Sequence, residues 1–122
     1  MTDDMYELMV WLGPAASELT PEQIDRVAEA ARDIHQRYPD PDDSHLRDAA
    51  LSAVVQHLLG ETTPEEACRA LSAARQREAE AFAAAVQVAV ELVRDAGGRD
   101  KSAAARRCGI DRMSLLKALG ER

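Results

Sequence analysis

Residues 97–119 read Gly97-Gly98-Arg99-Asp100-Lys101-Ser102-Ala103-Ala104-Ala105-Arg106-Arg107-Cys108-Gly109-Ile110-Asp111-Arg112-Met113-Ser114-Leu115-Leu116-Lys117-Ala118-Leu119. Paired glycines end the helix before them, because glycine enters the left-handed region without the ~1–2 kcal/mol that other residues lose there. The signals that follow predict two short helices, Lys101 to Cys108 and Arg112 to Leu119, with Gly109 in a tight turn and Asp111 as N-cap of the second. Ala104 and Ala105 are small enough to let the second helix approach closely. Cys108, Ile110, Leu115, Ala118 and Leu119 are expected to fill the angle between the two. Arg106, Arg107, Arg112, Ser114 and Lys117 are then left facing outward. An apolar back with donors in front, the helix start aimed at base edges, is what a recognition helix in a major groove needs, so the stretch reads as a helix-turn-helix.

Upstream, no Gly or Pro occurs between Pro64 and Ala96. The simplest reading is one helix of roughly 50 Å at 1.5 Å per residue, with a bend near Gln76 to Glu78 as the alternative. Leu71, Ala74, Ala81, Ala85, Val88 and Leu92 keep a near-heptad seam interrupted by Glu78, with Phe82, Val86, Ala89 and Val93 beside it. Such a seam serves either as the core face of a helix within one chain or as a surface for self-association.

Earlier helix starts are equally legible. Thr20-Pro21-Glu22-Gln23 and Thr63-Pro64-Glu65-Glu66 each place a capping hydroxyl at N-cap, proline at N1 and Gln or Glu at N3, the pattern of a capping box. Helices therefore begin at Pro21 and Pro64. The first runs to about Tyr38, with Ile24, Val27, Ala28, Ala31, Ile34 and Tyr38 on one stripe. Pro39-Asp40-Pro41-Asp42-Asp43-Ser44 is a loop, and a further helix spans about Ser44 to Leu59 before Gly60. Its stripe is Leu46, Ala50, Leu51, Val54, Val55, Leu58 and Leu59, wide enough for a central position. Met5, Leu8, Met9 and Leu12 form a short apolar face ended by Gly13-Pro14, and so short a helix needs a surface to dock on. The fold class expected is all-α: an N-terminal helical body over residues 1–80 of possible oligomerising role, a long connecting helix, and a helix-turn-helix unit over residues 81–122.

The chain has 122 residues and a net charge of −7. That average, unfavourable to nucleic acid, hides an asymmetry. Residues 1–93 hold 7 basic and 18 acidic side chains, net −11, whereas residues 94–122 hold 8 basic and 4 acidic, net +4. A phosphate backbone meets the local field within a Debye length of ~10 Å, so the basic terminal segment decides. Strand-forming β-branched and aromatic runs are nearly absent. No charge-free stretch of the ~20 residues that cross a bilayer occurs and the N-terminus opens acidic, so a cytoplasmic protein without membrane association is expected. Cys68 and Cys108 lack metal-ligand spacing and read as free, partly buried thiols. His35, His45 and His57 include no i, i+4 pair, so no metal site and no cofactor is expected. No nucleophile arrangement or phosphate loop gives catalysis an anchor, and the chain is read as a non-enzyme.

The run Ala-Gly-Gly (96–98), Ala104-Ala105, Gly109-Ile110-Asp111-Arg112, then Leu115 and the following leucines resembles the Fis-type helix-turn-helix, shared by the nucleoid protein Fis and the C-terminal domains of NtrC-like activators. The likeness covers about Val86 to Leu119, and the Ala/Arg/Asp-rich composition is similar to that of small regulators from GC-rich actinobacteria. It implies double-stranded DNA as partner. By position, Arg112, Met113, Ser114 and Lys117 would contact DNA, Lys101 and Ser102 would lie near phosphates, and Arg106 would be a further phosphate-reaching cation. Gly98-Arg99-Asp100 is one residue longer than the family's Gly-Asn turn and adds a negative charge, and Leu116 stands where the family commonly has a base. Modest affinity follows. Two functions are expected from this: a homodimeric, sequence-specific transcriptional regulator, or an adaptor that uses a degenerate helix-turn-helix and Met5, Met9, Trp11 and the long helix to bind a protein such as RNA polymerase or another regulator.

Overall fold

The computed structural model describes residues 3–121. Over that span the protein is all-α, with helices α1 (Asp3–Leu12), α2 (Pro21–Arg37), α3 (Ser44–Leu58), α4 (Pro64–Asp95), α5 (Lys101–Cys108) and α6 (Arg112–Ala118) and two 3₁₀ segments, Gly13–Glu18 and Pro41–Asp43. The chain divides into two compact units, Met1–Ala67 and Cys68–Arg122, and the division falls inside α4.

In the first unit, α2 starts where its capping box places it: Thr20 Oγ1 accepts from Gln23 N–H at 3.2 Å, and Gln23 Oε1 accepts from Thr20 N–H at 2.9 Å. The same Gln23 side chain donates through Nε2 to the Leu58 carbonyl at 3.2 Å, fastening the start of α2 to the end of α3. Leu8, Leu12, Leu19, Val27 and Val55 form the core, so α1 finds its docking surface through Leu8 and Leu12. Val27 is fully buried and α2 buries Ile34 as well, while α3 buries Val55 alone and leaves Leu46 exposed. The wide apolar stripe of α3 is thus only partly covered. Arg47 closes the α2–α3 loop by donating to the carbonyls of Tyr38 and Asp40 at 2.6 and 2.7 Å.

Helix α4 is α-helical without interruption through Gln76–Glu78. Thr63 Oγ1 accepts from Glu66 N–H at 3.1 Å, the hydroxyl half of the cap read from the sequence. Its C-terminal part is core: Ala89, Val90 and Val93 are buried against Ala104, Ala105 and Leu115, with Val86, Leu92, Cys108, Ile110 and Leu119 packed around them. Every residue from Glu65 to Ala84 is exposed. The core is closed not by the seam itself, whose Val88 is 55 % exposed and whose Leu92 is half-buried, but by Ala89 and Val93 beside it together with Val90, and the N-terminal turns of the helix are exposed. Cys68, expected to be partly buried, lies on the bare part and is exposed, whereas Cys108 is half-buried; both are free thiols. No helix among the described residues is long and apolar enough to cross a membrane.

Candidate nucleic-acid interface

Helix α4 ends at Gly97 and Gly98, with φ of 69° and 86°, where Gly98 N–H donates to the Val93 carbonyl at 2.8 Å and Gly97 N–H to Arg94 at 3.1 Å. That reversal is what brings α5 back over Val90 and Val93. Asp100, immediately before α5, has φ 60°, the one described non-glycine residue with positive φ. Asp tolerates the left-handed region better than most residues, which lets the connection between α4 and α5 close at this position. Its side chain makes no capping bond to α5.

Gly109 has φ 70° and carries the expected turn: Ile110 N–H reaches back to the Ala105 carbonyl at 3.0 Å and Gly109 N–H to Arg106 at 3.2 Å. Asp111 then caps α6, its Oδ2 accepting from Ser114 N–H at 2.9 Å and its Oδ1 from the Ser114 hydroxyl at 2.7 Å. These two bonds from Ser114, hydroxyl first, hold the Asp111 carboxyl below the ordinary aspartate value of 3.8, and Lys117 adds a smaller attraction. Leu115, one residue further on, is fully buried.

The seven residues picked from the sequence fall into two groups. Arg106, Arg112, Met113 and Lys117 are exposed, Met113 at 61 %, as is Ser102. Met113 and Lys117 are four apart and sit on the side of α6 opposite Leu115 and Leu119, where they form its outer ridge. Ser114 and Lys101 are committed inside the unit: the Ser114 hydroxyl belongs to the Asp111 cap, and Lys101 Nζ donates to Glu121 Oε1 at 2.8 Å. Nothing in the sequence patterns marked the second contact, because it depends on the turn after α6 returning Glu121 toward the start of α5, twenty positions away. Ala118, expected in the angle between the helices, is exposed, and Leu116 is half-buried. Residues 115 and 119 occupy the buried stripe and 118 is rotated ~100° from 119.

Arg107, left out of the contact set, is as exposed as Arg106. Among the described residues the ion pairs are Arg94–Glu91 and Lys101–Glu121, so Arg106, Arg107, Arg112 and Lys117 carry unpaired charge. Each of the three arginines presents a planar fork matched to phosphate or a guanine edge, and the lysine a point charge. Among the described residues no group of three or more His, Cys, Asp or Glu is placed to hold a metal ion.

Comparison with known proteins finds no family model, no curated protein and no solved structure that matches the chain. The Fis-type likeness therefore rests on the residues quoted for it.

Proposed function

We propose that the protein is a sequence-specific DNA-binding transcriptional regulator that acts as a homodimer through the α5–α6 helix-turn-helix. One observation carries the reading: the outward side of a hairpin fixed by the buried Leu115 and the Asp111 cap presents four unpaired cations, Arg106, Arg107, Arg112 and Lys117, in a chain whose other residues are strongly acidic. Arg112 at the start of α6 supplies the base-edge donor, Met113 and Lys117 follow along the outer ridge, and Arg106 and Arg107 meet phosphates. A gel shift against genomic fragments of the source organism, followed by footprinting, tests it. A protected short site that Arg112→Ala abolishes is the expected result. Binding that is indifferent to sequence, or none at low salt, removes the reading.

A second reading has its own observation. Helix α1 leaves Tyr6, Val10 and Trp11 at 64, 64 and 40 % exposure, beside a groove of about 770 Å³ lined by Met5, Leu8, Trp11, Ala28, Arg32 and His35. An adaptor with a degenerate helix-turn-helix that docks a protein partner on this face would use it, and Trp11→Ala would then abolish partner capture while the wild type protects no DNA site.

A further inference from the structure

Along the bare part of α4, Cys68, Leu71, Arg75, Glu78, Phe82 and Ala85 recur at intervals of three and four and so share one face. The first five are exposed, Leu71 at 51 % and Phe82 at 46 %. Arg75 and Glu78 have no ion-pair partner among the described residues. The flanking positions Ala67, Ser72, Ala74, Ala79, Ala81 and Val86 are small or apolar. Charged Arg69, Arg77 and Glu80 fall on the opposite side. Read in either direction the stripe has the same order of chemistry: small, large apolar, charge, opposite charge, large apolar, small.

We infer that this stripe is the dimer surface, and that its occupant is α4 of a second copy running antiparallel about a two-fold axis between Gln76 and Arg77. The inference deepens the homodimer of the proposed function by assigning its contact and direction. In the antiparallel register Leu71 meets Phe82 of the other copy, Arg75 meets Glu78, and Cys68 meets Ala85, each contact occurring twice. Opposite charges then face one another, and the small flanking residues Ala67, Ser72, Ala74, Ala79 and Ala81 let the helices approach. A parallel, in-register pair would set Arg75 against Arg75 and Glu78 against Glu78, so the charge order itself selects direction. The α5–α6 hairpin packs on Val86 to Val93 of α4. At 1.5 Å per residue the axis puts two such hairpins about 39 Å apart along the helix pair, near the ~34 Å between successive major-groove faces.

The test needs no DNA. In full-length Cys108→Ala/Ala85→Cys protein, mild oxidation should give a covalent dimer whose peptides map to Cys68 joined to position 85 of the other chain. Sedimentation equilibrium should return twice the chain mass for the wild type. Arg75→Glu and Glu78→Arg should each weaken dimerisation about tenfold, and the double reversal should restore it, because it regenerates the cross pair. Circular dichroism checks that each variant keeps its helix content, which is expected since both side chains are exposed. A wild type that stays monomeric at high micromolar concentration overturns the inference. So do links of 68 to 68 and 85 to 85, and a double reversal as weak as the singles. A dimer with the expected links that ignores DNA leaves the pairing standing and removes the DNA reading; a monomer that reads a specific site does the reverse.

Discussion

Leu115→Ala should strongly destabilise the second unit and leave the stability of the first unchanged. Leu115 is fully buried among Ala89, Val90, Val93, Ala104 and Ala105. These neighbours are short or β-branched and cannot swing into the space left by an isobutyl group, so the loss belongs in the upper part of the 2–5 kcal/mol range, about 3–4 kcal/mol. Residues 68–122 form the unit, and at roughly 0.05–0.15 kcal/mol per residue a unit of that length has about 3–8 kcal/mol in total. One truncation therefore removes about half or more of its stability. Amide hydrogen exchange read by peptide mass reports the two units separately. Peptides covering residues 101–119 should exchange at least about a hundredfold faster, the factor for about 3 kcal/mol, while those covering residues 21–58 stay at the wild-type rate. Met113→Ala, at a side chain 61 % exposed, is the control that should alter DNA binding without altering exchange. Unchanged protection over residues 101–119, or equal loss in both units, would refute the assignment of Leu115 as the keystone of a separate core.

Four further outcomes follow from the same geometry. A Cβ at Gly109 meets nothing within 4 Å, so the cost of Gly109→Val comes from its φ of 70° alone, about 1–2 kcal/mol or more for a β-branched side chain, visible as a lower melting temperature of the second unit. Arg112→Ala should remove about 1–3 kcal/mol of discrimination between the footprinted site and a base-substituted one, measured by competition, with folding unchanged. Arg106, Arg107 and Lys117 as phosphate contacts give a log K against log salt slope of about −3 for one unit and about −6 for a dimer, and Lys101→Ala should leave that slope alone because Lys101 is paired with Glu121. The Asp111 carboxyl is held below its ordinary 3.8, so its capping contribution is complete at neutral pH and is lost as pH falls below that value; an acid titration of helix content should be shallower for Asp111→Asn.

Element boundaries were legible because the punctuation is local. Thr20-Pro21, Thr63-Pro64, Gly97-Gly98, Gly109 and Asp111 each act within four residues, and α2, α4, α5 and α6 begin at the positions those signals give. What escaped the sequence was set by partners distant along the chain. The partial cover of the α3 stripe depends on how α2 packs against it, and Lys101 is drawn to Glu121 only after α6 and its closing turn exist. Ser114 shows a subtler limit: its type and place suited a DNA contact, yet the same hydroxyl one turn from Asp111 is in range of the cap carboxylate. The seam of α4 was readable as a heptad but not in its register, since Leu71, Glu78 and Ala85 belong to two adjacent seams. Ala89 and Val93 are buried against the hairpin, whereas Phe82 and Val88, one on each seam, are both exposed.

The charge of the second unit also changes meaning once its contacts are known. Residues 94–122 hold 8 basic and 4 acidic side chains by sequence. Of the acids, Asp111 is turned into its own helix as a cap and Glu121 is neutralised by Lys101. Asp95 and Asp100 remain, and both precede α5 in the chain. Arg106, Arg107, Arg112 and Lys117 all lie from the last turn of α5 onward and make no ion pair among the described residues. Folding thus sorts a segment of mixed charge into a hairpin whose turn and second helix are more positive than its composition. Fields between exposed charges are screened within about 8 Å at physiological salt, so a group at the outer face of α6 responds chiefly to the cations within that distance and not to the net charge of the chain.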